Sequence, residues 1–380
     1  MAALKAFGDV FLVLACCLGS GFFLANLQSR FVCNLTDSRP IVGFEVGLHL
    51  LSTLIGLFIL IRAIVNEGRL FVGFVGWPWF TAVWFSYLGL ALGVFILFTW
   101  IALFKKIRGP FHDPAICLTT CPTPYPSKVQ PLLPRINQLF DLEVVEIEIE
   151  IPGLDPELRG MTVGNLTDFH LGRVCTKEFI RFAIDRLMDK KPELLTVTGD
   201  FVNYPEYVDA CFECLKGISA PLGVYAVRGN HDYWVGAEDI ERRTLELGFV
   251  LLHDRAVEVE RNGAKFIVAG IESPWNLAGV PFDFIPADSE RLKIVLSHTP
   301  DEFPRLAKQN PHLVLSGHTH GGQICLPFYG SVVVPSNYGR KYERGLFRKG
   351  NSLLYVSKGI GCHPPIRTLC KPEVTLFRLV

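Results

Sequence analysis

The segment LVLSGHTHGG (residues 313–322) joins an apolar run to two histidines set among glycines. Leu-Val-Leu is typical of a buried strand. His318 and His320 are two residues apart, so in an extended chain both side chains point to the same side. Gly317, Gly321 and Gly322 allow the backbone to turn tightly around them. The segment therefore predicts a strand that ends in part of a metal site, which other strands must complete.

Four earlier apolar segments also end in side chains that can bind a metal. They are MTVGNLTDFH (161–170), LLTVTGD (194–200), GVYAVRGNHD (223–232, with the strand running to Asn230) and LKIVLSH (292–298). In layered α/β folds, ligands bind beyond the carboxyl ends of strands. A single Asp or His there is more often a turn former or a hydrogen-bonded core residue. Five successive strands ending this way, with five of the ten histidines, predict one metal centre.

The other elements indicate an α/β fold. TKEFIRFAIDRLMDKK (176–191) has one apolar helical face and Thr176 as a possible cap. VVEIEIEI (144–151) alternates as a half-buried strand does, and Asn262-Gly263 predicts a hairpin turn. Three later strands follow without helices between them: GSVVVPS (330–336), SLLYVSKGIG (352–361) and EVTLFRLV (373–380).

The N-terminal region predicts a membrane anchor. Hydrophobic residues make up 49% of the chain and its mean hydropathy is +0.31, with most of the excess before Phe104. Three stretches (6–24, 41–65 and 81–104) approach or exceed the ~20 apolar residues of a transmembrane helix. A cleaved signal peptide is the alternative for the first stretch. Residues 1–107 are thus predicted as the anchor, 108–140 as a proline-rich linker, and 141–380 as the catalytic domain.

Charge and cysteine usage narrow the possible partners. Basic and acidic side chains number 37 each and form no basic stripe, so no nucleic-acid partner is expected. Around the predicted spans, five Lys or Arg against three favour a cytoplasmic catalytic domain. The eleven cysteines are scattered and do not indicate a redox compartment. Cys117 and Cys121 could form a disulfide, bind a metal weakly or remain free thiols.

The strand-end motifs occur in five blocks: Asp168 with His170, Gly199-Asp200, GNHD (229–232), His298 and GHTH (317–320). In order and spacing, these blocks resemble the motifs of the calcineurin-like metallophosphoesterases. GHTHGGQI (317–324), YVSKGIG (355–361) and CKPEV (370–374) are more similar to the branch of membrane-anchored phosphodiesterases of bacterial type. The resemblance covers residues 144–380 and implies a four-layer α/β/β/α sandwich.

The resemblance also implies roles for individual residues. It implies one ion held by Asp168, His170 and His320, a second held by Asn230, His298 and His318, and Asp200 bridging the two. His231 would be the phosphate-facing acid, held by Asp232, and both are predicted as catalytic. Arg228 and His363 lie in or near loops that would rim the site and are predicted to bind substrate. Mixed Asn, Asp and His ligation favours Mn²⁺, Fe or Zn²⁺.

We therefore expect a membrane-anchored phosphoesterase with two divalent ions. It would hydrolyse a phosphodiester or pyrophosphate bond by attack of a hydroxide that bridges the ions. A lipid-linked substrate is attractive because the anchor would confine enzyme and substrate to one surface. The alternatives are a phosphomonoesterase on the same site, or a non-catalytic metal-binding scaffold or binding module held at the membrane. The oligomeric state is left open.

Overall fold

The computed structural model describes most of the catalytic domain and a few residues before it. The described residues are 55, 58, 84–93, 96, 116–120, 137–275, 281–286, 290–326, 330–331, 333–363 and 366–380. The first predicted span lies outside them. The described parts of the other two, Ile55, Phe58, 84–93 and Ile96, are helical. Within the described residues, no helix has the length and apolarity to cross a bilayer.

Two mixed sheets form the domain. The first contains seven strands in the order β1-β2-β15-β3-β4-β5-β6. They are β1 (Ile116–Thr120), β2 (Glu143–Ile149), β3 (Thr162–Leu166), β4 (Leu194–Val197), β5 (Val224–Ala226), β6 (Val250–Leu251) and β15 (Glu373–Leu379). The strands β3 to β6 are parallel, whereas β15 pairs antiparallel with β3.

The second sheet contains six strands in the order β13-β14-β10-β9-β8-β7. They are β7 (Arg255–Arg261), β8 (Ala264–Ile271), β9 (Lys293–Ser297), β10 (Leu313–Ser316), β13 (Gly345–Lys349) and β14 (Ser352–Val356). The central strands β8, β9, β10 and β14 are parallel. A small hairpin of β11 (Cys325–Leu326) and β12 (Gly330–Ser331) stands apart.

The sheets pack face to face over a core to which Val163 and Phe377 of the first sheet and Phe266 and Leu315 of the second contribute. On the outer face of the first sheet lie α1 (Lys177–Met188) and α2 (Val208–Leu215), and α3 (Asn230–Glu246) follows β5. Among the described residues, the outer face of the second sheet carries a short helix, α4 (Phe303–Leu306), and 3-10 turns. The sandwich is confirmed, and its fourth layer is thin.

Several local predictions can be compared directly with the structure. The α1 helix buries the predicted face, and Thr176 stands at its N-cap, but the Thr176 hydroxyl makes no capping hydrogen bond. Asn262 and Gly263 have φ values of 53° and 88°, as a type I′ hairpin turn requires. The strand predicted to run to Asn230 ends at Ala226, because Asn230 already begins α3.

The predicted linker contains ordered structure. Residues 116–120 form β1, which pairs antiparallel with β2 and extends the first sheet by one edge strand. The proline-rich composition of residues 108–140 does not predict this strand. Further on, Asn137 accepts a hydrogen bond from the backbone N–H of Arg367, 3.0 Å away, and Leu139 is fully buried. The folded domain therefore begins before residue 141.

Candidate metal centre

Side chains from loops of both sheets converge at one end of the sandwich. They form three overlapping triads whose ligand atoms lie within 4.8 Å of one another: Asp168/His170/His320, His170/Asp200/His231 and Asp200/His298/His318. The loops follow β3, β4, β5, β9 and β10, whose carboxyl ends meet at this edge. The structure thus brings together residues up to 152 positions apart, since they run from Asp168 to His320.

Asp200 lies between the two outer triads. Its Oδ2 atom is 3.4 Å from His170 Nε2 and 3.1 Å from His298 Nε2. Its Oδ1 atom accepts a hydrogen bond from the backbone N–H of His231 at 2.9 Å. One carboxylate oxygen is therefore within reach of a ligand from each triad, which is the placement that a bridging group needs.

The first triad has the spacing of ligands around one ion. The Nε2 atoms of His170 and His320 are 3.1 Å apart, and Asp168 Oδ1 is 3.7 and 3.8 Å from them. Two nitrogens at 2.0–2.1 Å from one ion, roughly at right angles, would lie about 3 Å apart. His170 Nδ1 is 2.6 Å from Asn203 Oδ1, so Nδ1 carries the proton and Nε2 presents its lone pair.

The second group is marked by buried polar atoms without partners. Asp200 Oδ2, Asn230 Oδ1 and His298 Nε2 are buried and make no hydrogen bond. The other ring nitrogen of His298 donates to the carbonyl of Thr198 at 2.6 Å, which leaves Nε2 for another ligand. Such orphaned groups cost about 1–3 kcal/mol each in a folded protein. A divalent cation would satisfy all three at once, so these residues fit a metal.

Left-handed backbone aims these ligands. The φ values of Asp168, His170, Asp200, His318 and His320 are 51°, 44°, 59°, 69° and 49°. Non-glycine residues in this region carry strain that the surrounding structure must hold, and such residues cluster at functional sites. The His318 N–H donates to both oxygens of Asp168, at 3.0 and 3.1 Å, and so supports the turn.

Asp232 supports the same turns through its carboxylate. It accepts the backbone N–H groups of Asp200 (2.8 Å), Phe201 (2.9 Å) and Gly229 (2.8 Å). The recorded ring contacts of His231 are instead with His170 and Trp234, at centroid distances of 4.6 and 4.4 Å. The carboxylate of Asp232 therefore holds backbone, whereas it was predicted to hold the His231 ring.

Charges in the site are strongly interdependent. Burial lowers the pKa of His231 to about 3, so its imidazole is neutral at pH 7. Burial would raise the pKa of Asp200, but the positive charge of His298 holds it well below its usual value. Burial also disfavours the charged form of His298, yet the Asp200 carboxylate outweighs it and raises this pKa to about 9.

The prediction that Arg228 binds substrate is wrong. Its side chain is buried and all five guanidinium N–H donors are used within the protein. Two reach Glu272, at 3.0 and 2.7 Å. The others reach the Ala237 carbonyl, Glu241 and His253. No donor is left for a phosphate, and Arg228 instead ties the start of α3 to the end of β8.

The substrate-binding role of His363 stays a prediction. His363 is exposed, its ring is 6.3 Å from that of Tyr204, and it is near enough to His231 to lower the pKa of that histidine.

Trp275 was not predicted. The centroid of its ring lies 5.4 Å from that of His298 and 5.3 Å from that of His318. It follows the cis Ser273-Pro274 bond, and no motif marks it in the sequence.

Comparison with known proteins gives a consistent result. Residues 161–322 match the family model described as calcineurin-like phosphoesterase, which spans the five motif blocks from Asp168 to His320. The chain is 31% identical over 248 residues to the metallophosphoesterase YkuE of Bacillus subtilis (strain 168). That alignment covers 63% of this chain and 85% of YkuE.

Two further relatives carry names that state a reaction. Phosphodiesterase YaeI of Escherichia coli (strain K12) is 30% identical, over 57% of this chain and 80% of YaeI. UDP-2,3-diacylglucosamine pyrophosphatase LpxG of Chlamydia trachomatis is 26% identical, over 62% of this chain and 89% of LpxG. All three alignments cover at least 80% of the relative.

Proposed function

This chain belongs to the calcineurin-like phosphoesterases, a family of metal-dependent hydrolases. On that basis we propose that it uses two divalent ions to cleave a phosphodiester or pyrophosphate bond. The observation that carries the proposal is Asp200 Oδ2, buried without a hydrogen bond and within 3.4 Å of a histidine from each outer triad. The names of YaeI and LpxG, a phosphodiesterase and a pyrophosphatase, support this bond type over a monoester.

The seven side chains divide between the ions as the motifs suggest. Asp168, His170 and His320 would hold one ion, Asn230, His298 and His318 the other, and Asp200 both. Bound divalent ions supply Lewis acidity toward phosphoryl oxygens and lower the pKa of water. Nitrogen and oxygen ligands without cysteine suit Mn²⁺, Fe or Zn²⁺.

His231 would act on the phosphoryl group directly. The residue is partly exposed and its ring contacts that of His170; the protein that surrounds the imidazole desolvates it and lowers its pKa, so it is neutral at pH 7. A neutral imidazole donates one N–H hydrogen bond. We place that bond on a phosphoryl oxygen, where it stabilises the charge that develops during cleavage. His363 would bind the rest of the substrate at the rim.

The reaction class can be tested with generic substrates. The detergent-purified full chain, loaded with Mn²⁺, is expected to hydrolyse bis(p-nitrophenyl) phosphate faster than p-nitrophenyl phosphate. His231→Ala is expected to keep its bound metal and lose about 10²–10³-fold in kcat. His253→Ala, whose side chain is 44% exposed and outside the triads, serves as the histidine control. A preference for the monoester would contradict the proposed bond type, and full activity of His231→Ala would contradict its role.

We also propose that the chain is a multi-pass membrane protein acting on a lipid-linked substrate. The apolar stretches before residue 104 support the anchor, and the name of LpxG, which states a diacylated sugar nucleotide, supports the substrate class. The flanking Lys and Arg favour a catalytic domain on the cytoplasmic side.

The membrane proposal has a direct test. The full chain with a C-terminal tag is expected to stay in the membrane fraction after an alkaline carbonate wash, and the tag to be protected from protease in sealed right-side-out cells. Release by carbonate would contradict the anchor, and digestion of the tag would contradict the cytoplasmic side. In mixed micelles, a lipid-linked pyrophosphate is expected to be cleaved at least about tenfold faster than its deacylated analogue, because both partners share one surface.

A further inference from the structure

Arg367 is a buried cation bound mainly by backbone carbonyls. Its side chain is fully buried, and the ion pairs among the described residues do not include it. Its Nη1 and Nη2 atoms donate to five carbonyl oxygens. The acceptors are the carbonyls of Lys358 (2.7 Å), Gly359 (3.2 Å), Gly361, His320 (3.4 Å) and Cys370 (3.5 Å). Since burying an uncompensated charge is unfavourable, the contacts it makes need an explanation.

Three of these carbonyls belong to a segment that lies directly behind two metal ligands. Gly361 N–H donates to the Asp168 carbonyl at 2.6 Å, and Ile360 N–H donates to the Thr167 carbonyl at 3.1 Å. A Cβ atom on Gly361 would lie 2.0 Å from the Phe169 carbonyl oxygen, and one on Gly359 would lie 2.6 Å from Asp168 Cβ. The segment 358–361 therefore sets the backbone position of Asp168 and of His170 beside it.

A fourth carbonyl belongs to His320, which is itself a ligand. The planar guanidinium of Arg367 thus contacts both the His320 carbonyl and the segment 358–361. That segment lies behind Asp168 and His170. Those three residues are the first triad, and each has a left-handed φ of 44–51°. Among the predicted ligands of the second group, His318 and the shared Asp200 have a positive φ, whereas Asn230 and His298 do not. The first ion position is therefore the one whose backbone most needs external support.

We propose that Arg367 is a positioning residue for the ion held by Asp168, His170 and His320. It touches neither ion nor substrate, and acts by fixing the distance between the His320 turn and the Asp168 turn. The flat guanidinium fork can serve five carbonyls from one place, whereas the compact ammonium of lysine cannot. The inference rests on the proposed two-ion site.

Metal titration of the full-length protein tests this inference. Apoprotein titrated with Mn²⁺ by calorimetry is expected to bind two ions in the wild type. In Arg367→Lys, one position is expected to keep its affinity and the other to weaken about 10–100-fold, the usual effect of losing an outer ligand-orienting group. Adding His298→Ala to Arg367→Lys is expected to remove the remaining ion. Adding His170→Ala is expected to leave it in place, because both changes act on the same position.

Arg261→Lys is the matched control. Arg261 also anchors backbone carbonyls, those of Glu157 and Arg159, and it pairs with Glu193. It ends β7 at the hairpin, away from the metal end of the sandwich. This variant is expected to lose thermal stability while binding two ions normally.

The possible outcomes separate the inference from the function on which it rests. Wild type that binds fewer than two ions would overturn the two-ion proposal. If Arg367→Lys binds both ions with the same affinities as the wild type, the role of Arg367 is overturned and the two-ion proposal stands. If Arg367→Lys does not fold, Gly361→Ala decides, because its Cβ would push the same segment away from Phe169. Selective loss of one ion there supports the inference, and two normal sites overturn it.

Discussion

Asp200→Asn is expected to bind neither ion tightly and to lose at least about 10³-fold in phosphodiesterase activity. Asparagine keeps the shape of the side chain, tolerates the left-handed φ of 59°, and can still accept the N–H of His231. It loses the charge, and its amide would place N–H donors where Oδ2 now stands between His170 and His298. Several kcal/mol of charge stabilisation by the ions would go with it.

The measurement combines metal content after dialysis with kcat/KM on the same preparation. Asp254→Asn is the control, because Asp254 has a φ of 46° and its Oδ1 accepts the N–H of Glu272, outside the triads. It isolates the effect of an Asp-to-Asn change at a left-handed position. If Asp200→Asn retains two ions and ordinary activity, the carboxylate does not bridge the ions. The position of Asp200 Oδ2 between the two outer triads would then no longer support the proposed function.

The site illustrates which features a sequence can reveal. Asp168, Asp200, His298 and His318 could be predicted because each follows an apolar strand directly, and the parallel strands that they end are hydrogen-bonded neighbours in their sheets. The alternation of apolar and polar residues and the Asn262-Gly263 turn are equally local signals. Because these signals depend on neighbours in sequence, they predicted an α/β fold and the metal end, whereas the sandwich was implied by the resemblance to the family.

Residues that support the site through tertiary contacts carry no local signal of this kind in the sequence. Arg228 precedes GNHD and so resembled a phosphate ligand, but its acceptors on Glu272 are 44 positions away. Nothing local distinguishes an arginine whose donors are all used from one that faces solvent. Arg367 and Trp275 also act through tertiary contacts, and β1 is a strand because the edge of β2 is available, not because of its own composition.

Asp232→Ala is expected to lower the free energy of unfolding by several kcal/mol and to reduce activity in proportion to the loss of fold. The carboxylate accepts three buried backbone N–H groups, those of Asp200, Phe201 and Gly229. Each donor left unpaired costs about 1–3 kcal/mol. Denaturant unfolding of the metal-free and metal-loaded protein measures the change.

Comparison with His231→Ala separates structure from catalysis at two neighbouring positions. His231 is partly exposed and its ring contacts other aromatic rings, so its removal is expected to leave the midpoint of unfolding nearly unchanged while kcat falls. Asp232→Ala is expected to do the reverse, and Asp232→Asn to be intermediate, because an amide can accept from only one side. If Asp232→Ala unfolds like wild type yet has lost kcat as His231→Ala has, then Asp232 acts through the histidine. The turn that carries Asp200 would in that case be held by its other contacts, including the strand pairing of β4.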